Sequence, residues 1–224
     1  MILRARPSPT RIARLAHHIS PKPKTSIRCL STNYKGTTHP LNTGARIPAL
    51  GFGTWQDALQ QEGAVLAALR AGYRHIDTAR IYGTESAVGN AIQKSGVPRE
   101  EIFLVTKLWN NSHEPRDVGA ALDDSLRDLG TEYVDMYLMH WPSPFQRGEA
   151  MMPRDEAGNI LPGKSDYVET YKAMEECYAK GKARAIGISN FSKDELERLL
   201  ENTDIVSPFE SDESSDCHLS KTRN

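Results

Sequence analysis

Short apolar runs alternate with segments whose apolar positions are spaced for helices, from about residue 39 to residue 206. HPLNTGARIPAL (39–50) predicts a short hairpin that turns at Asn42-Thr43-Gly44. LGFGTW is a brief strand, after which Asp57 opens a helical pattern with Val65, Ala68 and Leu69 on one side and Gly72 at its end. YRHIDT is a second strand, followed by the helix ESAVGNAIQKSG, closed by Gly96 with Pro98 just beyond. IFLVTK is a third strand, and PRDVGAALDDSLRDLG a helix with Pro115 near its start and Gly130 past its end. The strand VDMYLMH, a long loop, the helix YVETYKAMEECYAKG, the strand ARAIGIS and the helix KDELERLLENT complete the series. Five strand–helix units in succession predict an α/β fold, a parallel sheet covered by helices.

The strands end in a telling way. Four consecutive apolar runs finish in Asp77, Lys107, His140 and Ser189. In a parallel barrel the carboxyl ends of the strands converge on one face, where active sites lie. Tyr82 follows Asp77 by five residues. An isolated phenol, with a pKa near ~10, is a poor acid at neutral pH. A lysine ammonium beside it favours the phenolate, and a carboxylate would keep that lysine charged and oriented. Such a phenol can protonate a carbonyl oxygen as hydride reaches the carbon, with a histidine fixing the oxygen's direction. The set Asp77, Tyr82, Lys107 and His140 therefore points to carbonyl reduction.

GFGTW (51–55), GYRHIDTARIYGTESAVG (72–89), LVTKLWN (104–110), DMYLMHWP (135–142) and AIGISNF (185–191) occur in that order. Together they resemble the aldo-keto reductase family over residues 39–206. The resemblance implies a TIM-type (β/α)8 barrel that uses NADPH, or less often NADH, without a metal. It implies a catalytic tetrad of Asp77, Tyr82, Lys107 and His140, with Tyr82 as general acid. Thr54, Trp55, Asp77, Ser189 and Asn190 would lie against the cofactor, the last two on the nicotinamide carboxamide. Trp55, Trp109, His140 and Trp141 would line the pocket of a small-molecule carbonyl or alcohol substrate, in a monomer. Thr84 stands where the family more usually has Asn, and a threonine can still cap the helix that follows. The family pattern stops after Val206. The chain thus reads as an incomplete barrel lacking strands six to eight, the aromatic that packs on the nicotinamide, and the basic loop for the 2′-phosphate. A non-catalytic binding or regulatory fragment is the competing reading.

Composition adds boundaries. Across 224 residues, 38% are hydrophobic and 25% charged, with a net charge of -1, which gives no reason to expect nucleic acid. No apolar stretch is long enough to span a bilayer. Cys29, Cys177 and Cys217 are scattered without CxxC spacing, so neither a disulfide framework nor a zinc site is expected. The first acidic residue is Asp57, while residues 1–36 are basic, and Ile12, Leu15 and Ile19 recur at helical spacing against Arg11, Arg14 and His18. This start resembles a mitochondrial transit peptide, with a cytoplasmic protein bearing a basic tail as the alternative. His17 and His18 lack the spacing of metal ligands. Residues 207–224 are Ser- and acid-rich and predict a disordered tail.

Rival motifs fail. GFG lacks the third glycine of GxGxxG, because position 56 is Gln. Tyr178 and Lys182 have the short-chain-dehydrogenase spacing, but Gly181 ends the helix between them. Asp123-Asp124 and Glu175-Glu176 read as solvated helix faces. The loop 143–166 is expected to overhang the pocket.

Overall fold

The computed structural model describes residues 36–203 and 210–211. The transit-like segment, Cys29, Cys217 and most of the polar tail lie outside the described residues.

The hairpin forms as its turn residues dictate. Strands β1 (Thr38–Pro40) and β2 (Arg46–Pro48) pair antiparallel, with His39 opposite Ile47. Gly44 closes the turn at φ +83°, a conformation that suits glycine. Six parallel strands follow in spatial order: β3 (Phe52–Gly53), β4 (His75–Asp77), β5 (Phe103–Leu108), β6 (Met136–Met139), β7 (Ile186–Ser189) and β8 (Glu210–Ser211). Within the described residues β3 and β8 are the two edges of this open sheet. Helices α1 (Gln61–Arg70), α2 (Glu85–Ser95), α3 (Pro115–Leu129), α4 (Tyr167–Ala179) and α5 (Lys193–Asn202) connect successive strands. The strand β8 was not expected, because it falls in the segment read as a tail. Its two residues pair with Ile188 and Ser189 through backbone bonds, which composition does not encode.

Helix boundaries obey their capping chemistry in five places. α2 ends at Gly96 (φ +69°) and α3 at Gly130 (φ +64°), both left-handed. Pro115 occupies the first turn of α3, where its missing N–H costs nothing. α4 is capped by Asp166, which accepts from the Val168 N–H, and α5 by a capping box between Ser192 and Glu195. Two expected starts differ. Asp57 does not open α1: it sits at φ +49° in a turn after Gln56 at φ +70°, and the helix begins at Gln61 with no side-chain cap. Thr84 precedes α2 but its hydroxyl caps nothing, turning instead toward the Thr54 and Thr78 hydroxyls at 3.4 Å each.

Strand alternation divides the sheet into two surfaces. Ile76, Leu104, Tyr137, Met139, Ile186 and Ile188 pack with the helices in the larger apolar cluster, together with Val65, Val88, Leu122 and Met174. Phe103, Val105, Met136, Leu138 and Ala185 form a separate, smaller cluster on the other face, joined by Leu41 and Ile47 of the hairpin. By the same period of two, Asp77, Lys107, His140 and Ser189 belong to this inner face and crown it at the carboxyl ends.

Candidate active site

Lys107 is the centre of the site. Its side chain is only 2% exposed, and its ammonium donates to three acceptors: Asp77 Oδ1 at 2.5 Å, the Thr78 carbonyl at 3.2 Å and the Tyr82 hydroxyl at 3.3 Å. Three N–H donors meet three oxygens, so the buried cation is fully paired, as a charge away from water must be. The register delivers this arrangement. Asp77 lies opposite Val105 between β4 and β5, which places its carboxylate beside the next inner-facing residue of β5, Lys107. Tyr82 ends a single 3₁₀ turn, Arg80–Tyr82, terminated by Gly83 at φ +65°. That left-handed glycine returns the chain over the strand ends.

His140, just past β6, joins the same rim. Its ring stands perpendicular to Tyr82 at 5.7 Å between centroids and to Trp109 at 5.1 Å, and stacks on Trp141 at 6.5 Å. Its backbone is held on both sides, the N–H donating to the Leu108 carbonyl and the carbonyl accepting from Asn190 Nδ2 at 2.9 Å. Asn190 adopts φ +61°, which Asn tolerates better than most residues, and its amide also donates to Ser189 Oγ at 2.9 Å. Ser189 and Asn190 thus form one hydrogen-bonded unit beside His140, Ser189 fully buried and Asn190 partly exposed.

The aromatic residues split by exposure. Trp55 is 60% exposed and lies 4.9 Å from the Tyr82 ring, and Trp141 is 41% exposed. Trp109 is buried, and its indole N–H donates to the Met151 carbonyl at 2.6 Å. The loop 143–166 is therefore tied down at the site, with a second anchor where Asn111 donates to the Gly148 carbonyl. A cavity of about 300 Å³ opens next to His140, between Trp109, Asn110, Trp141, Ser143 and Phe145. The expected cofactor residue Thr54 is not brought to this open rim. Its backbone N–H donates to the Asp77 carbonyl, and its side chain is buried in the threonine cluster beneath.

One side chain near the site holds more than sequence reasoning assigned to it. Glu85, read only as a helix-start acid, is buried, with Oε1 accepting from Thr106 Oγ1 at 2.6 Å. Its Oε2 accepts from Ser125 Oγ at 3.1 Å and from Arg80 at 3.2 Å. Arg80 continues to Asp128. Ser125 lies 40 residues from Glu85 and Asp128 lies 48 from Arg80, so no local signal announces this network.

The profile of the aldo/keto reductase family covers residues 49–211. The chain belongs to that family. It is 46% identical over 179 residues to a D/L-glyceraldehyde reductase of Hypocrea jecorina, covering 76% of this chain and 54% of that protein. With aldo-keto reductase family 1 member A1 of Xenopus tropicalis it shares 46% identity over 166 residues, 71% of this chain and 51% of that one. The fold superposes on the aldose reductase of Schistosoma japonicum with a TM-score of 0.77 at 34% identity, covering 79% of this chain and 60% of the other. The chain therefore spans about half the length of the curated relatives it matches, and its sheet is the corresponding part of a TIM-type barrel.

Proposed function

We propose that this chain carries the proton-transfer half of a nicotinamide-dependent carbonyl reductase, with Tyr82 as general acid. The observation that supports it most is the Lys107 ammonium, 2.5 Å from Asp77 and 3.3 Å from the Tyr82 hydroxyl. Asp77 orients the cation, the cation stabilises negative charge on the phenol oxygen, and the phenol hydrogen goes to the substrate oxygen. His140 fixes that oxygen by hydrogen bonding as its negative charge develops. The reaction balances with one hydride to carbon and one proton to oxygen, giving an alcohol. When bound, reduced NADPH (NADH second) supplies the hydride.

The residues present suit the nicotinamide end of such a cofactor. Ser189 and Asn190 offer hydroxyl and amide chemistry complementary to a primary carboxamide, and the exposed Trp55 and partly exposed Asp77 flank the rim. Trp109, Trp141 and Phe145 give the cavity apolar walls for the rest of a small aldehyde. The names of the relatives, glyceraldehyde reductase and aldose reductase, support an aldehyde as substrate.

Mixing the purified chain with NADPH and a reactive aldehyde, and following loss of nicotinamide absorbance, tests the proposal. Tyr82→Phe is expected to lower kcat by roughly 10²- to 10⁴-fold, the usual share of a general acid, while a rise in Tm on adding NADPH persists. Equal rates for parent and Tyr82→Phe would remove Tyr82 from the chemistry. No turnover with any aldehyde would favour the binding or regulatory reading. The basic residues 1–36 support delivery to mitochondria, and a fluorescent fusion of that segment remaining evenly cytosolic would refute it.

A further inference from the structure

The phenol and the amine sit on different elements, and their 3.3 Å separation depends on how those elements are held. Lys107 belongs to β5 and Tyr82 to the 3₁₀ turn, whose backbone bonds are local: Tyr82 N–H to the Ala79 carbonyl and Gly83 N–H to the Arg80 carbonyl. On the outer face, directly behind this pair, one carboxylate grips both elements. Glu85 accepts from Thr106, the residue before Lys107, and from Arg80, two residues before Tyr82. Its third donor, Ser125, belongs to α3, which carries neither reacting group. The Thr78 and Thr84 hydroxyls, 3.4 Å apart, close the base of the loop that contains the turn.

We propose that Glu85 is a positioning residue that keeps the Tyr82 hydroxyl within reach of the Lys107 ammonium by fastening turn and strand to one buried anchor. The inference rests on the Tyr82–Lys107 pair as proton donor, but its test reads the phenol directly. Positioning and charge make opposite predictions. Removing the Glu85 charge alone eases ionisation of a nearby phenol and lowers its titration midpoint. Releasing the turn weakens the ammonium's hold on the phenolate and raises the midpoint.

The experiment is a fluorine NMR titration of the full chain labelled with 3-fluorotyrosine, the Tyr82 resonance being assigned by its loss in Tyr82→Phe. Glu85→Gln and Thr106→Val are expected to raise the Tyr82 midpoint by about half a pH unit or more, a fraction of the effect of a close opposite charge. Ser125→Ala is expected to lower Tm and leave the midpoint in place. Thr106→Val keeps the Glu85 charge and decides the matter if Glu85→Gln does not fold. A rise in either variant with Ser125→Ala unmoved supports the proposal. A flat or lowered midpoint in both variants, or in Thr106→Val alone when Glu85→Gln does not fold, overturns it, and so does an equal rise in Ser125→Ala. Lys107→Met serves as the reference and must raise the midpoint; if it does not, the proton-donor pair itself is wrong and the inference falls with it. Should the parent reduce no aldehyde while these shifts appear, the reductase reading fails and the positioning role stands.

Discussion

The two faces of the parallel sheet are made from the same strands and do different work. On the outer face a broad apolar layer runs unbroken from Val65 in α1 to Leu199 in α5, with Leu104, Tyr137, Ile186 and Ile188 as its strand contribution. Alternate residues of those strands build an inner face with a small apolar floor of Phe103, Val105, Met136 and Leu138. Above that floor stands a rim of Asp77, Lys107, His140 and Ser189. Strand alternation lets stability and chemistry occupy neighbouring positions without sharing side chains. The cost of a buried cation is confined to one inner-face residue, Lys107, which has its three partners.

Two leucines put that division to its strongest test. Leu104 on the outer face and Leu138 on the inner face are equally buried, at 0% and 1% exposure. Leu→Ala in a core costs roughly 2–5 kcal/mol, depending on how far the surroundings collapse into the space. Leu104→Ala, enclosed between strands and helices, is expected near the upper end. Leu138→Ala, in the smaller cluster, is expected near the lower end. Urea denaturation of both variants measures the difference. Equal losses would mean that the inner floor is packed as tightly as the outer layer.

Acid sharpens the comparison from the other side, because the outer layer carries a titratable group of its own. His113 follows β5 and is 1% exposed, its carbonyl accepting from Thr170 of α4. Neither ring nitrogen has a hydrogen-bond partner among the described residues. Desolvation lowers its pKa from 6.5 to about 4. The unfolded chain therefore binds the extra proton first. Stability is complete above about pH 6.5 and declines as pH falls through about 4, by roughly 3 kcal/mol in all. His75 on the inner face shifts the same way, desolvation outweighing the nearby Asp77, so some acid sensitivity persists without His113. His113→Phe is expected to flatten the fall in denaturation midpoint between pH 6.5 and pH 4. Parallel curves for parent and variant would show that His113 is already protonated, or solvated, in the folded chain.

Much of this division was readable in the sequence, and the unreadable part has a physical reason. Asp77, Lys107, His140 and Ser189 are found by asking which residue ends each apolar run, because strand periodicity carries them to one face. Gly96, Gly130 and Pro115 mark helix ends because their backbone restrictions are local. Asp57 misled because acidic residues also favour turns, and here the chain needs two left-handed residues before α1 begins. Thr84 misled because a hydroxyl accepts whichever partner tertiary structure supplies. Glu85 was visible only as a helix-start acid, since its partners lie on three other elements and long-range pairing leaves no spacing to read. Arg80 and Asp128 share that fate. The strand β8 pairs with β7 in a stretch whose Ser- and acid-rich composition gives no strand signal.

The smallest effect tests how rigidly the outer layer is packed between α2 and α3. Glu85 and Gly89 are four residues apart on α2 and face two residues four apart on α3, Ser125 and Leu129. At Gly89 an added Cβ would sit 2.5 Å from the Leu129 carbonyl oxygen and 2.7 Å from its carbon, so backbone rather than a flexible side chain would have to move. Replacing a helical glycine by alanine normally gains up to about 1 kcal/mol. Overpacking costs about 1–3 kcal/mol, so Gly89→Ala is expected to be net destabilising by about 1 kcal/mol. Gly119 on α3 faces open space and supplies the opposite sign, because Gly119→Ala should gain the propensity term without a clash. Thermal melts of the two variants should therefore move in opposite directions from the parent. Two upward shifts would mean that α2 and α3 separate freely, and that the Ser125 bond to Glu85 stretches with them. The Glu85 bonds to Arg80 and Thr106 do not run through α3, so the 3.3 Å Tyr82–Lys107 contact should survive that loosening and only the Ser125 contribution to stability would be lost.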